Sequence, residues 1–185
     1  MTSSSENSFE TSTDEFFMQE ALYMAQKASD VGEIPVGAVI VKNREIIARA
    51  HNRRELDKDP TAHAELLAIQ EAAKIVGDWR LEGCTLYVSL EPCAMCSGAL
   101  WLARVDRVVF GAFDQKSGFL GSIFNLSDTE KTQNMNHHFQ VRSGVLEKES
   151  VLLLQTFFRA IRAQKKREKQ ARKQSESCLK NDKET

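Results

Sequence analysis

Two short motifs restrict the possible folds of this chain more than any other feature of its sequence: His63-Ala64-Glu65 and Pro92-Cys93-Ala94-Met95-Cys96. Each motif begins a predicted helix that follows a predicted strand. Cys93 and Cys96 are one helical turn apart, so both thiols leave the helix on one face. A helix N-terminus also favours the thiolate form that a metal ion requires. The motifs can act together if both helices begin at the same edge of a sheet, and we expect that arrangement.

Strands and helices alternate around these motifs. The sequence predicts a helix from Ser12 or Thr13 to Gly32, then a hairpin whose first strand, 36–41, is apolar enough to be buried on both faces. The other segments are predicted as strands at 46–50, 85–90, 107–111 and 139–143, helices at 61–77, 92–103 and 147–172, and a long loop at 114–136. Such alternation after a hairpin favours an α/β domain with a mixed sheet.

The length of 185 residues suits one domain with a substantial core. We expect a single domain at 14–172, between a disordered acidic leader at 1–13 and a disordered tail at 173–185. No apolar run approaches the roughly 20 residues of a membrane span, and the first residues do not resemble a signal peptide. Four cysteines, two of them in one C-x-x-C motif, fit a reducing compartment. We therefore expect a cytoplasmic protein with no membrane partner.

The formal net charge of −1 gives no sign of a nucleic-acid partner. The charges are, however, unevenly distributed along the chain. Residues 1–15 carry four acidic and no basic side chains, whereas residues 159–185 carry ten basic and four acidic ones. A basic C-terminal run of this kind can contact phosphates. A solvated helix end is the commoner role of such a run, so the charge pattern alone does not identify a partner.

The number of available ligands bears on the kind of metal site. His63, Cys93 and Cys96 offer one imidazole and two thiolates, which suit tetrahedral Zn²⁺. A structural zinc has four protein ligands, whereas a catalytic zinc keeps one position open for water. Glu65 is placed to reach that water, so the set describes metal-activated hydrolysis. The remaining histidines and cysteines lack the close spacing of a second ligand pair; they are His51, Cys84, His137, His138 and Cys178.

A C-x-x-C motif by itself also occurs in thioredoxin-like redox proteins. With H-x-E upstream and a proline before the first cysteine, it is the signature of the zinc-dependent nucleobase deaminases. Over about residues 16–165 the chain resembles, more closely still, the bacterial tRNA-specific adenosine deaminases of the cytidine and deoxycytidylate deaminase superfamily. The matching segments are 33–38, 50–52, 61–65, 85–96, 108–112, 114–122, 136–137 and 157–159. The metal motifs are common to the superfamily, whereas 114–122 and 136–137 point to the tRNA enzymes.

The resemblance implies a three-layer α/β/α fold, like that of cytidine deaminase, around a mixed sheet of about five strands. It implies that His63, Cys93 and Cys96 hold one Zn²⁺ per subunit and that Glu65 transfers protons in catalysis. The implied reaction is hydrolytic deamination of adenosine to inosine at wobble position 34 of tRNA, in the arginine tRNA with an ACG anticodon. The implied partners are the anticodon stem-loop and a second copy of the chain in a homodimer.

The resemblance also implies a set of substrate contacts. Asn52, just past a strand, would read the purine edge, and Asp114 would bond a ribose hydroxyl, a contact that distinguishes RNA from DNA. Asparagine and aspartate at such positions are also common turn residues. The other expected contacts are Ile34, Pro35, Val36, Ala64, Lys116, Asn136, His137, Phe158 and Arg159.

Two other functions remain open at this point. A deaminase of a free nucleobase or nucleotide, such as cytosine, guanine or deoxycytidylate, would share the zinc motif and need neither a basic tail nor an RNA-contacting loop. A non-enzymatic RNA-binding module would use zinc for stability alone, and a fourth protein ligand would favour it.

Overall fold

The computed structural model describes the backbone of residues 3–181 and the side chains of residues 12–172, and residues 1–2 and 182–185 lie outside it. Its helices are α1 (Ser3–Asp30), α2 (Arg54–Asp57), α3 (Ala64–Val76), α4 (Ala94–Leu102) and α5 (Glu147–Asn181). Its strands are β1 (Gly37–Lys42), β2 (Glu45–His51), β3 (Cys84–Leu90), β4 (Arg107–Ala112) and β5 (Gln140–Arg142).

The five strands form one mixed sheet in the order β2-β1-β3-β4-β5. The pairs β1–β2 and β1–β3 are antiparallel, whereas β3–β4 and β4–β5 are parallel. Val88 in the central strand stands opposite Ala38 of β1 and Phe110 of β4. This topology confirms the predicted mixed sheet, and residues 37–41 of β1 are buried on both faces as expected.

Helices cover both faces of the sheet. Alternate residues of a strand point to opposite faces, and Ile40 and Leu86 therefore pack with α3 and α4 on one side. Their neighbours Val39 and Tyr87 pack with α1 on the other side, where α5 lies next to α1. The predicted three-layer α/β/α arrangement is confirmed. Among the residues that the structure describes, we find no helix with the length and hydrophobicity of a membrane span.

Helix α1 lies unusually close to the first strand at Gly37. A Cβ atom at this position would lie 2.2 Å from the carbonyl oxygen of Ala21 and 2.2 Å from the amide nitrogen of Ala25, both in α1. Only glycine leaves room for that approach. Because β1 begins here, directly after Val36, the contact also fixes the chain where it enters the sheet.

The aspartate Asp14 fastens α1 to three strands. Its carboxylate is 1% exposed and accepts hydrogen bonds from the hydroxyl of Tyr87 (2.8 Å), from Arg107 (2.7 and 2.8 Å) and from Arg142 (2.6 Å). Burial opposes ionisation, but the hydrogen bonds from Arg107 and Tyr87 outweigh it and lower the pKa of Asp14. Burial and the Asp14 carboxylate together raise the pKa of Tyr87.

Both terminal helices extend beyond the predicted bounds. Helix α1 begins at Ser3 rather than at Ser12 or Thr13, and α5 continues to Asn181, so the backbone of 3–13 and 173–181 is helical where the sequence predicts disorder. No glycine or proline occurs within either helix, and nothing in the local sequence stops helical hydrogen bonding. The short helix α2 was not predicted, and 114–136 is a loop as expected.

Candidate active site

The two sequence motifs meet at the N-termini of α3 and α4. His63 is the N-cap of α3, Cys93 is the N-cap of α4, and Cys96 lies in the first turn of α4. Both caps have extended backbone conformations, so His63 and Cys93 precede the helices rather than lying in their first turns. Neither side chain caps its own helix, and both are therefore available to a ligand.

The three side chains form a metal-binding group. The sulfur of Cys93 lies 3.8 Å, and that of Cys96 3.6 Å, from Nδ1 of His63. Nitrogen and sulfur ligands of one tetrahedral zinc ion stand about 3.5 Å apart at the usual bond lengths. The part of the chain that the structure describes brings no fourth ligand into the group. The donor set therefore fits Zn²⁺ with one position open, and it lacks the fourth ligand that a purely structural zinc would have.

The two thiols of the group differ in acidity. A hydrogen bond from Cys96 lowers the pKa of Cys93 to about 4, and the same hydrogen bond together with burial raises the pKa of Cys96. Without a metal ion, the pair therefore keeps one proton. A bound cation displaces that proton, because the ligand form of cysteine is the thiolate.

Glu65 projects from the first turn of α3 towards the same place. Its side chain is 4% exposed, and its Oε2 atom is buried without a hydrogen-bond partner among the described residues. Burial raises the pKa of Glu65. A buried polar atom without a partner is rare and marks a site where a ligand or water is expected. The orphaned oxygen thus belongs to a residue that lines the same cavity as the ligands His63 and Cys93.

A cavity of about 210 Å³ opens beside this group. Pockets for drug-sized ligands usually have volumes of roughly 300–1,000 Å³. The smaller volume of this cavity suits a single nucleobase. Its wall is formed by Ile34, Val36, Asn52, Arg54, His63, Glu65, Leu90, Glu91, Cys93, Asp114 and Ser117. Asn52 is buried, and its amide nitrogen donates to Oε2 of Glu33 at 2.8 Å. Glu33 also accepts a hydrogen bond from the backbone of Leu56, and so holds the amide in one orientation.

A second cavity shares Ile34, Leu90, Asp114 and Ser117 with the first, and the two are therefore adjacent. It holds about 360 Å³ and is completed by Phe113, Lys116, Leu154 and Phe158. The ring of Phe158 is 40% exposed, and Lys116 is the only basic side chain of this wall among the described residues. An aromatic face beside a cation is a combination that accepts a base and its phosphate.

Some of the expected contacts lie outside both cavities. Pro35 is buried between two lining residues, and Ala64 is turned into the core as the first residue of α3. Asn136 accepts a hydrogen bond from Arg104, and the ring of His137 donates to the carbonyl of Val105, at the far end of α4. Arg159 is exposed on α5 next to Phe158.

Sequence reasoning missed several residues of the site. Arg54, Leu90 and Ser117 line the cavity, and Glu33 and Glu91 are buried acids that organise it. Glu33 lies shortly before the apolar strand β1, in Glu-Ile-Pro, and Glu91 directly follows the apolar strand β3, in Glu-Pro. An acid in such a position is a signal for a buried carboxylate, although its partners are visible only in the structure.

The family of the chain follows from comparison with known proteins. A family described as the cytidine and deoxycytidylate deaminase zinc-binding region matches residues 11–112, which include His63, Glu65, Cys93 and Cys96. The chain belongs to this family of zinc-binding deaminases. It is 56% identical to the tRNA-specific adenosine deaminase of Bacillus subtilis over 153 residues, which are 83% of this chain and 93% of that relative. The predicted family and the predicted zinc cofactor are confirmed.

Two solved structures support the same fold. One, from a study of A-to-I editing by tRNA:A34 deaminases at the wobble position of transfer RNA, has a TM-score of 0.70 and 40% identity and covers 75% of this chain and 99% of that chain. The other is the guanine deaminase of Bacillus subtilis, with a TM-score of 0.52 and 44% identity over 54% of this chain and 64% of that chain. The first confirms the deaminase fold that the sequence predicts.

Proposed function

We propose that this protein is an enzyme that deaminates adenosine to inosine at wobble position 34 of tRNA, with Zn²⁺ as its cofactor. The observation that carries the proposal is the buried Oε2 atom of Glu65, in one cavity with His63, Cys93 and the amide of Asn52. Hydrolytic deamination needs a proton-transfer group beside a metal group and a base-sized space. The likeness to tRNA-specific adenosine deaminases supports adenosine in tRNA as the substrate.

Each group of the cavity has a role in this reaction. His63, Cys93 and Cys96 would hold the Zn²⁺ ion, which when bound would supply activated water for hydrolysis near neutral pH. Glu65 takes a proton from the attacking water, passes it to the adenine ring and later delivers a proton to the leaving amine. Water adds at C6 and ammonia leaves, so adenosine and water become inosine and ammonia.

The adjacent cavity supports an RNA substrate rather than a free nucleoside. Asn52 binds the edge of the target base, Asp114 lies where the two cavities meet, and Phe158 and Lys116 accept the neighbouring nucleotide. Stacking on one aromatic ring contributes about 1–3 kcal/mol per base. A free nucleoside would leave these residues unused.

Incubation of the purified zinc protein with an anticodon stem-loop bearing A34, followed by nucleoside analysis for inosine, tests the proposal. We expect inosine from the wild type and none from Glu65→Ala, with the zinc content of the variant unchanged. Turnover by Glu65→Ala at the wild-type rate would remove Glu65 from its role. Absence of inosine with zinc-loaded wild type would refute the function.

Guanine deamination is the second candidate, because the guanine deaminase of Bacillus subtilis has the same fold at 44% identity over half of this chain. A parallel incubation with free guanine and free adenosine separates the two. Ammonia release from either free compound, without inosine in the stem-loop, would favour the free-base enzyme.

We also propose that the tRNA is the arginine tRNA with an ACG anticodon and that the enzyme is a cytoplasmic homodimer with one Zn²⁺ per subunit. Kinetics on A34 stem-loops of different anticodons test the first point. Sedimentation equilibrium with zinc analysis tests the second, and fractionation of cells tests the location.

A further inference from the structure

A buried carboxylate that the reaction does not use lies directly before the second metal motif. Glu91 follows Leu90, the last residue of β3, and stands two residues before Cys93; it is 2% exposed. Its Oε1 accepts hydrogen bonds from the backbone amides of Leu120 (2.9 Å) and Ser122 (3.0 Å). Its Oε2 accepts from the hydroxyl of Ser122 and, at 3.0 Å, from the backbone amide of Asp114.

These four donors lie at the two ends of one segment, 114–122, which we call the clamped loop. Both ends of the loop are thus held by a single side chain. The middle of the loop is held beside the metal motif as well, because the amide of Phe119 donates to the carbonyl of Pro92 at 2.9 Å and Gly118 pairs with Cys93.

Gly118 shows how closely the loop and the carboxylate approach each other. A Cβ atom on Gly118 would lie 2.2 Å from both Cδ and Oε2 of Glu91. No side chain fits between them. The loop can therefore lie against the carboxylate of Glu91 only because residue 118 is a glycine.

The clamped loop forms a wall of both cavities. Asp114 and Ser117 line the catalytic cavity with Cys93, and Lys116 lines the second cavity with Phe158. Asp114 also accepts hydrogen bonds from the backbone amides of Lys116 (2.9 Å) and Ser117 (3.2 Å), which makes this part of the loop a tight turn. A displacement of the loop would move all of these side chains away from the metal group together.

We propose that Glu91 is a positioning residue, which holds the clamped loop so that Asp114, Ser117 and Lys116 meet the RNA at a fixed distance from the metal ligands. This inference rests on the proposed function. A carboxylate suits the task because it only accepts hydrogen bonds, and all four of its partners here are donors. Hydrogen bonds to a charged acceptor are also stronger than those between neutral groups.

The substitution Glu91→Gln tests the role with little change in shape. It replaces one acceptor oxygen by an NH₂ group, which cannot accept hydrogen bonds from the two donors that face it. The loop therefore loses two of its four hydrogen bonds to residue 91. We expect KM for the A34 stem-loop to rise about tenfold or more, since small displacements of substrate-binding groups have large effects. We expect kcat within about threefold of wild type and an unchanged zinc content, because Glu65 and the ligands are not moved. The matched control Glu82→Gln, exposed just before the other end of β3, should keep the wild-type KM.

Hydrogen exchange gives a readout that does not depend on activity. In Glu91→Gln, the amides of Asp114, Leu120 and Ser122 should exchange faster than in wild type, while the amides of β3 stay protected. Gly118→Ala, which attacks the same contact from the loop, should reproduce both the exchange pattern and the rise in KM. If Glu91→Gln does not fold, Gly118→Ala and the milder Ser122→Ala decide the question.

An unchanged KM with unchanged exchange would overturn the proposal. So would a loss of zinc with a lower kcat at constant KM, because Glu91 would then serve the metal ligands instead of the loop. If wild type makes no inosine, the proposed function fails, and hydrogen exchange in the same variants still decides whether Glu91 holds the loop.

Discussion

Besides Glu65, three carboxylates among the side chains that the structure describes are almost completely buried: those of Asp14, Glu33 and Glu91. Each accepts hydrogen bonds from residues that are distant in sequence, so each joins separate parts of the chain. A buried carboxylate is costly unless its charge is satisfied by such donors. At the scale of single residues, these acids fix the geometry on which the cavity depends.

Glu33→Gln should weaken substrate binding through Asn52. Glutamine keeps one acceptor oxygen, which cannot serve both Asn52 and the amide of Leu56, so the Asn52 side chain loses its fixed orientation. We expect kcat/KM on the A34 stem-loop to fall about tenfold or more, from the loss of one hydrogen bond to a charged acceptor. Glu45→Gln, exposed at the start of β2, is the control. A variant with wild-type kcat/KM would show that Glu33 does not orient Asn52.

Asp14→Asn should destabilise the domain in a pH-dependent way. The variant removes the negative charge that Arg107 and Arg142 contact at Asp14, which we expect to cost about 3 kcal/mol in the free energy of unfolding at pH 7. The lowered pKa of Asp14 adds stability above the unfolded value of about 3.9, and this stability is lost as the pH falls through the folded value. Urea unfolding of both proteins at pH 7 and near pH 3 measures the difference.

The control for this comparison is Asp78→Asn, an exposed aspartate in the loop after α3. The difference in the free energy of unfolding between wild type and Asp14→Asn should be smaller near pH 3 than at pH 7. The corresponding difference for Asp78→Asn should be small at both pH values. A gap of the same size at pH 3 would mean that packing, and not the charge of Asp14, stabilises the contact.

At the scale of elements, α5 joins the second cavity to the basic part of the sequence. Leu154 and Phe158 line the cavity, and Arg162, Lys165 and Lys169 continue at spacings of three and four residues. Residues at these spacings share one helix face, and from Arg162 onwards the described residues of α5 are exposed. The helix face that begins at the cavity therefore continues as a stripe of basic side chains, which lengthens by about 1.5 Å for each residue along the helix axis. A phosphate backbone can lie alongside this stripe.

Replacement of Lys165 and Lys169 by alanine should reduce affinity for tRNA without affecting deamination itself. We expect a higher KM for tRNA, an unchanged kcat, and a salt dependence of binding that is shallower by about one unit per lost phosphate contact. The matched control replaces Lys74 in α3 and Lys148 at the other end of α5. An identical salt slope in both double variants would show that the stripe is a solvated helix face.

The beginnings and ends of the elements show where sequence reasoning succeeds. The strands and the helices α3 and α4 were predicted within a few residues, because their apolar periodicity and the glycine or proline at their ends are local signals. The inner ends of α1, near Gly32, and of α5, at Glu147, were predicted as well. The outer ends of these two helices were not, since polar sequence without glycine or proline carries no stop signal. The cap positions of His63 and Cys93 also required the backbone angles.

At the scale of the whole molecule, the metal group connects two helices on the same layer. Removal of zinc with a chelator should therefore lower the melting temperature by about 5 °C or more, because a ligand that binds only the folded state stabilises it. Differential scanning calorimetry before and after chelation measures the shift. Added Zn²⁺ should restore the melting temperature and Mg²⁺ should not, since thiolates are poor ligands of magnesium. An unchanged melting temperature with zinc removed would show that the helices do not depend on the ion.

The site was predictable from the sequence to a different degree in each of its parts. The metal ligands were predictable because their chemistry requires particular residue types at short spacings. The catalytic role of Glu65 stays a prediction. The wall of the cavity was only partly identified: Ala64 turned out to be core, and Arg54 and Ser117 were missed. These positions depend on which segments the sheet order brings together, and that information is not local.

The wall of the catalytic cavity comes from several separate connections of the chain: the entry to β1, the exit from β2, the start of α3, and the segments after β3 and β4. The metal ligands occupy only two of these connections. Substitutions in the connections that carry no metal ligand can alter which base is accepted without disturbing the metal site or the buried sheet. Such a division of labour lets related enzymes diverge in substrate while keeping one reaction, and it accounts for a guanine deaminase and a tRNA adenosine deaminase on the same scaffold.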